Sequence, residues 1–165
     1  MKLQILVGMI ASGKTTYSKL AAMQGIICVN DDDIVNLVHG GNYTIYDKNL
    51  KLLYKSIENH IISQALGMGR TVLIDRGLNI SRQGRERYIA LAKSFDVPIE
   101  AIVMTKESPE IHAQRRFDSN SRGYAYKYWL DVAKIHDGIY ERPTIKDFSS
   151  IHNISFNDII EGKVV

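Results

Sequence analysis

Residues 8–15 read Gly8-Met9-Ile10-Ala11-Ser12-Gly13-Lys14-Thr15, which meets the pattern G-x-x-x-x-G-K-[ST] at every specified position. Glycines at both ends let the backbone turn tightly, so successive N–H groups face inward and cradle anionic oxygens. Lys14 supplies a point charge for the β- and γ-phosphates of a nucleoside triphosphate, and the Thr15 hydroxyl suits Mg²⁺. Gly8, Ala11, Ser12, Gly13, Lys14, Thr15 and Thr16 are therefore the expected nucleotide contacts, with ATP and Mg²⁺ as cofactors.

Two acidic features follow apolar runs. Asp75 closes the run Thr71 to Ile74, where a carboxylate can orient a Mg²⁺-bound water or an acceptor hydroxyl; it also fits a turn at a strand end. Asp31, Asp32 and Asp33 follow a second run at a helix start. Acids at a helix N-terminus stabilise it by ~0.3–1 kcal/mol at exposed sites. Three in succession exceed what capping requires, so at least one is expected to accept a proton from an attacking hydroxyl.

Phosphoryl transfer also needs cations beyond Lys14. Arg115, Arg116 and Arg122 flank the polar stretch 117–121, as a short lid over residues 115–127 would, with Gly123 as hinge. A solvated basic helix end is the competing reading, and Lys127 is a weaker candidate. Tyr43, Tyr46 and Tyr54 lie on the acceptor side, where aromatic faces could stack a nucleobase or simply fill a core. The five histidines show no metal-ligand spacing, and Cys28 reads as a buried strand residue.

These residues need a scaffold. Apolar runs predict strands at Leu3 to Val7, Ile26 to Val29, Thr71 to Ile74, Pro98 to Met104 and Ser150 to Ser155. Helical patterns fall at about 14–23, 32–38, 45–66, 81–95, 108–116 and 124–139. In the third, Leu50, Leu53, Ile57, Ile61 and Ala65 recur at helical spacing. Continuous apolar strands alternating with helices imply an α/β fold, a five-stranded parallel sheet with helices on both faces. Its C-terminal strand ends would line the crevice holding the glycine loop and the acids.

Composition narrows the class. A length of 165 residues suits one domain, and 45% hydrophobic with 24% charged residues argues against disorder. One cysteine rules out an internal disulfide framework, and no apolar run reaches a membrane span of ~20 residues. The N-terminus turns glycine-rich too early for a signal peptide, so an intracellular, cytoplasmic location without membrane attachment is expected. The net charge of +3 is mild, but eight of nine arginines fall between positions 70 and 122, suiting a polyanion or phosphorylated partner. Arg82, Arg85 and Arg87 also fit a solvated helix face.

Three segments, GMIASGKTT, VNDDDI and IDRGLNISRQGR, resemble the polynucleotide kinase group of P-loop kinases, particularly the phage-type 5′-hydroxyl kinase domain, over about residues 1–145. The resemblance implies a P-loop kinase fold with a short lid, and phosphate transfer to a nucleic acid hydroxyl, DNA or RNA. It assigns Lys14 and Thr15 to phosphate and Mg²⁺, and Asp32 to the general base. Asp75 becomes the acceptor-side acid, Arg116 and Arg122 the lid arginines. Asp33, Asn79 and Arg82 join Asp32 and Asp75 as expected substrate contacts. The family places an arginine three residues after the base; here that residue is Val35. This departure brings a hydroxymethylated base in DNA close behind a polynucleotide 5′-hydroxyl as acceptor, with a nucleoside or small molecule third and a non-catalytic nucleotide-binding switch as the rival from another class. The phosphatase domain that accompanies some of these kinases is not expected in this length.

Overall fold

The computed structural model describes residues 1–119 and 123–163. Its centre is β1 (Leu3–Val7), whose five residues are all buried. Around it stand β2 (Ile27–Asn30), β3 (Val72–Asp75), β4 (Ile99–Met104) and β5 (Ser150–Ile154). The order is β2-β3-β1-β4-β5, and every pairing is parallel. The register sets Leu3 beside both Val72 and Ile99, and Asn30 beside Asp75. The α/β architecture expected from the alternating pattern is the one observed.

Alternation along the strands sorts the core onto two faces. Leu3, Ile5, Val7, Val72, Ile74, Ala101 and Val103 point one way. There they meet α2 (Asp31–Val38), α3 (Lys51–Gly67) and α4 (Arg82–Ser94). Leu6, Leu73, Ile102 and Met104 point the other way, onto Tyr17 and Ala21 of α1 (Lys14–Met23) and Ile159 of α7 (Phe156–Ile160). A smaller cluster joins Met9 of the glycine loop to α5 (Pro109–Asp118) and α6 (Tyr126–Gly138) through Ala113, Trp129 and Ala133.

Two departures from the sequence expectation have local causes. The helix expected from residue 45 starts at Lys51, after 3₁₀ turns at Tyr43–Ile45 and Lys48–Leu50. The side chains of Asn42 and Asp47 accept hydrogen bonds from the Thr44 and Asn49 backbone, and such local bonds compete with helix. The buried stripe also turns by one residue: Leu53 is 45% exposed and Tyr54 faces the core. Tyr54 is held there by its hydroxyl, which meets His39 Nε2 at 2.6 Å and accepts from the Asp47 N–H at 3.2 Å. Helix α7 was not anticipated, although Ser155 and Asp158 form a capping box at its start.

Ser81 caps α4 by accepting from the Gly84 N–H at 3.1 Å, which draws the helix against the preceding 3₁₀ turn Gly77–Ile80. A Cβ on Gly84 would lie 1.9 Å from the Leu78 carbonyl oxygen. We expect Gly84→Ala to cost ~1–3 kcal/mol or more through this overlap. Gly138→Ala, with open space around it, should be neutral or slightly stabilising. Urea denaturation of both variants checks the contrast.

Candidate active site

The loop between β1 and α1 is shaped by residues that could not be larger. A Cβ on Gly8 would fall 2.4 Å from Ser12 Oγ and 2.8 Å from Met104 Cβ, so only glycine passes over the end of β4. Gly13 takes φ +95° at the N-cap of α1, and a Cβ there would lie 2.8 Å from Ile159 Cδ1. Ala11 also has positive φ, 51°. Lys14 folds back along the loop and donates from Nζ to the carbonyls of Gly8 (2.8 Å) and Met9 (2.7 Å). Burial lowers its pKa to about 8, against the pull of the neighbouring Asp75 carboxylate.

Two histidines accept backbone N–H bonds nearby, one from the loop itself and one from the turn after β4. The Ile10 N–H donates to His136 Nδ1 at 3.2 Å, and the Glu107 N–H to His112 Nε2 at 3.2 Å. Burial, reinforced by nearby positive charge including Lys14, lowers both imidazoles to about 4. They are therefore neutral near pH 7 and can act as acceptors.

The carboxylates arrive from adjacent strand ends. Asp75 closes β3 beside Asn30 of β2, and its carboxylate accepts from the side chains of Thr15 and Asn30. Burial raises its pKa and Lys14 opposes the shift. Asp75 Oδ2 is buried and has no hydrogen-bond partner among the described residues. One hydroxyl and one carboxylate with spare acceptor capacity fit Mg²⁺ held jointly with substrate phosphates. Among the described residues no group of three or more His, Cys, Asp and Glu forms a separate metal cage.

Asn30 also starts α2, its Oδ1 accepting from the Asp32 N–H at 2.8 Å, so the acid triple occupies the first helical turn. The three acids then diverge. Asp31 Oδ2 accepts from Arg76 Nε at 3.1 Å; desolvation raises its pKa to about 6, and Arg76 opposes that. Asp33 lies exposed on the rim of a cavity of about 490 Å³ lined also by Thr15, Asn30, Asp32 and Asp75. Asp32 lines this cavity and a second of about 210 Å³, which it shares with Tyr43, Tyr46 and Tyr54. It stands where the phosphate side and the aromatic side meet.

A third cavity, of about 250 Å³, lies over the glycine loop from Ala11 to Thr16. Helix α5 contributes Arg115 and Arg116 to it, Ser119 just past the end of α5 lines it too, and α7 contributes Phe156. The Arg115 guanidinium stacks 4.0 Å from the Phe156 ring centroid, and that of Arg116 lies 4.9 Å from the Trp129 centroid. Arg122 lies outside the described residues. Lys127 is turned to the exposed face of α6 and pairs with Asp131 at 2.8 Å.

Other expected residues are placed elsewhere. Asn79 is fully buried, donating from Nδ2 to the Ile74 carbonyl at 3.4 Å while its backbone carbonyl accepts from Arg85 Nη1 at 2.7 Å. It supports the turn after β3 and lines neither cavity beside Asp32. Arg82 pairs with Asp147 at 3.6 Å and lines a separate cavity with Glu141 and Arg142. Conversely, the structure brings Lys51, Lys55, Arg76 and Arg87 to the tyrosine cavity, and Glu58 beneath them pairs with Arg87 and the Tyr88 hydroxyl. Arg76 and Arg87 belong to the arginine-rich stretch that the sequence shows, whereas Lys51 and Lys55 gave no signal there.

Residues 3–122 match the family model described as AAA domain. The chain belongs to that family. No curated protein matches it significantly. Among solved structures, this AAA-domain chain is similar to a candidate kinase from Chloroflexus aurantiacus, at 15% identity and TM-score 0.70, covering 98% of this chain and 93% of that one. It is also similar to Kti12 of Chaetomium thermophilum in complex with ADP-AlF₃, at 17% identity and TM-score 0.63, covering 94% and 90%. A chain of the Pnkp1/Rnl/Hen1 RNA repair complex aligns at 17% identity and TM-score 0.64, covering 85% of this chain and 46% of that one. A gluconokinase from Sinorhizobium meliloti and two shikimate kinases align at TM-scores of 0.51 to 0.57. At these identities the likeness shows the fold, that of the P-loop kinases. Family and fold together imply a nucleotide-binding domain.

The lowered pKa of Lys14 gives this site a proton signature. Near pH 9 the free amine is mostly neutral, because its pKa is about 8. A bound polyphosphate favours the ammonium and raises the pKa, so nucleotide binding takes up a proton. Titration calorimetry at about pH 9 in buffers of different ionisation enthalpy should show this uptake. It should shrink at pH 7, where Lys14 is already charged, and vanish in Lys14→Met.

Proposed function

We propose that this protein is an ATP- and Mg²⁺-dependent kinase that transfers the γ-phosphate to a hydroxyl of a nucleic acid, first of all a polynucleotide 5′-hydroxyl. The observation that carries this reading is the position of Asp32, shared by a cavity holding Thr15 and Asp75 and a cavity lined by three tyrosines. A nucleoside seated on the tyrosines presents its hydroxyl to Asp32, which accepts the proton as the oxygen attacks phosphorus. The loop amides and Lys14 hold the triphosphate on the other side, so the reacting atoms approach along a fixed line. Arg115 and Arg116 neutralise charge on the moving phosphoryl group, assisted by Arg122. Thr15 and Asp75 would hold Mg²⁺, which would supply positive charge to offset that on the phosphate oxygens.

Support for a nucleic acid acceptor comes from the tyrosines and from the sequence resemblance. The RNA repair complex among the structural neighbours points the same way. A second acceptor, a hydroxymethylated base in DNA, is favoured by one observation. Val35 is buried on the wall of the tyrosine cavity, where the related kinases place an arginine for a substrate phosphate.

Incubation with γ-labelled ATP and Mg²⁺ should label 5′-hydroxyl DNA or RNA; 5-hydroxymethyluracil DNA, nucleosides, gluconate and shikimate complete the panel. Asp32→Asn should lower transfer by ~10²–10⁴-fold with nucleotide affinity retained. Label appearing only on gluconate, shikimate or nucleosides would sink the nucleic acid reading. Unchanged turnover in Asp32→Asn would remove the residue from the chemistry.

A further inference from the structure

The tyrosine cavity does not end at the acceptor pocket. Lys51, Lys55, Arg76, Leu78 and Arg87 line it and also a second cavity of about 500 Å³ that runs toward the start of α4, past Gln83 and Gly84. The two together form a cleft that leads away from Asp32 between α3 and α4. Its charges are not equivalent. Arg76 is paired with Asp31 and Arg87 with Glu58, so these arginines are locally neutralised. Lys51 and Lys55 have no acidic partner among the described residues, and Glu86 is the one carboxylate on the outer half of the cleft.

Lys51 also sits where the fold disfavours it. It opens α3, whose first turn contains no acid, with Lys48 preceding it in the 3₁₀ turn and Lys55 following one turn on. A helix N-terminus carries partial positive charge in its first turn, so a cation there is repelled. An anion lying along the cleft relieves this repulsion. Between the cations the cleft exposes apolar surface, with Leu78 at 49% and Ile139 at 40%. Cations one helical turn apart, about 6 Å along the axis, over an apolar floor suit a strand that alternates phosphates with flat, partly apolar units.

We propose that this cleft binds the phosphodiester backbone of a single-stranded nucleic acid, with Lys51 and Lys55 each meeting a phosphate beyond the reacting nucleotide. The inference rests on the kinase reading for which nucleotide occupies the tyrosine pocket. The cleft, rather than an arginine at position 35, then supplies the grip on acceptor phosphate, and a strand becomes a better substrate than a mononucleoside.

Fluorescence anisotropy with a labelled 12-nucleotide single strand, read across a salt series without ATP, tests the cleft directly. Lys51→Ala/Lys55→Ala should weaken binding about tenfold at low salt and reduce the slope of log K against log salt by about 1.4, or 0.7 per lost phosphate contact. Lys51→Arg/Lys55→Arg should restore both, and Lys93→Ala, at the far end of α4, should change neither. In the kinase assay the double alanine variant should raise KM for the oligonucleotide while leaving kcat unchanged. Its thermal midpoint should be unchanged or slightly higher, which separates lost binding from lost folding. Unchanged affinity and salt slope overturn the cleft even when wild-type protein labels the strand. Equal competition by polyglutamate of the same charge also overturns it, in favour of an acidic protein partner. A wild-type protein that binds the strand through these lysines but labels no oligonucleotide refutes the acceptor reading and leaves the cleft standing.

Discussion

An ammonium group held against two peptide carbonyls organises the candidate site. Lys14 could extend into solvent, yet it lies along the inside of its own loop, bonded to the oxygens of Gly8 and Met9 with Asp75 nearby. Carbonyls turned toward Lys14 leave the loop's amides free to turn elsewhere, and Ile10 shows the alternation by giving its N–H to His136. The arrangement requires a loop that approaches β4 without a side chain at Gly8 and adopts a left-handed turn at Gly13. The lowered pKa measures what this enclosure costs the charged form. A polyphosphate would repay that cost, which couples loop shape to ligand charge.

The sheet brings the remaining parts to the same edge. Because all five strands run parallel, the loop after β1, the acids after β2 and Asp75 at the end of β3 emerge together. The Asn30–Asp75 register matters most here. It lets one asparagine bond the Asp75 carboxylate and cap the helix bearing Asp32. A slip of β2 by one residue in that pairing would turn Asn30 away from the Asp75 carboxylate and move the start of the helix bearing Asp32. Precision at the site is thus inherited from backbone hydrogen bonds several residues away.

What could be read from the sequence follows the range of the interaction. The glycine loop was legible because its backbone demands are met by particular residue types within eight positions. The strands and most helices were legible from runs and spacing, and Ser108-Pro109 opens α5 as expected. The stripe of α3 was misjudged by one residue because Tyr54 turns inward for hydroxyl contacts to His39 and Asp47, which hydrophobic periodicity does not record. Asn79 looked like a substrate contact and is a buried brace, since an amide reads alike in either role until its partners are known. The Asp31–Arg76 and Glu58–Arg87 pairs join residues 45 and 29 positions apart, beyond any local pattern.

The short helix α7 has a bearing on how the protein comes into being. Ile159 covers Gly13, and Phe156 stands beside Arg115 over the glycine loop, so one wall of the cavity over that loop comes from a segment that follows β5. The loop leaves the ribosome before β2, β3, β4 and β5. Its wall emerges only after the whole sheet has been made, and domains generally fold as units during synthesis. A nascent chain therefore carries the glycine pattern long before it carries the pocket.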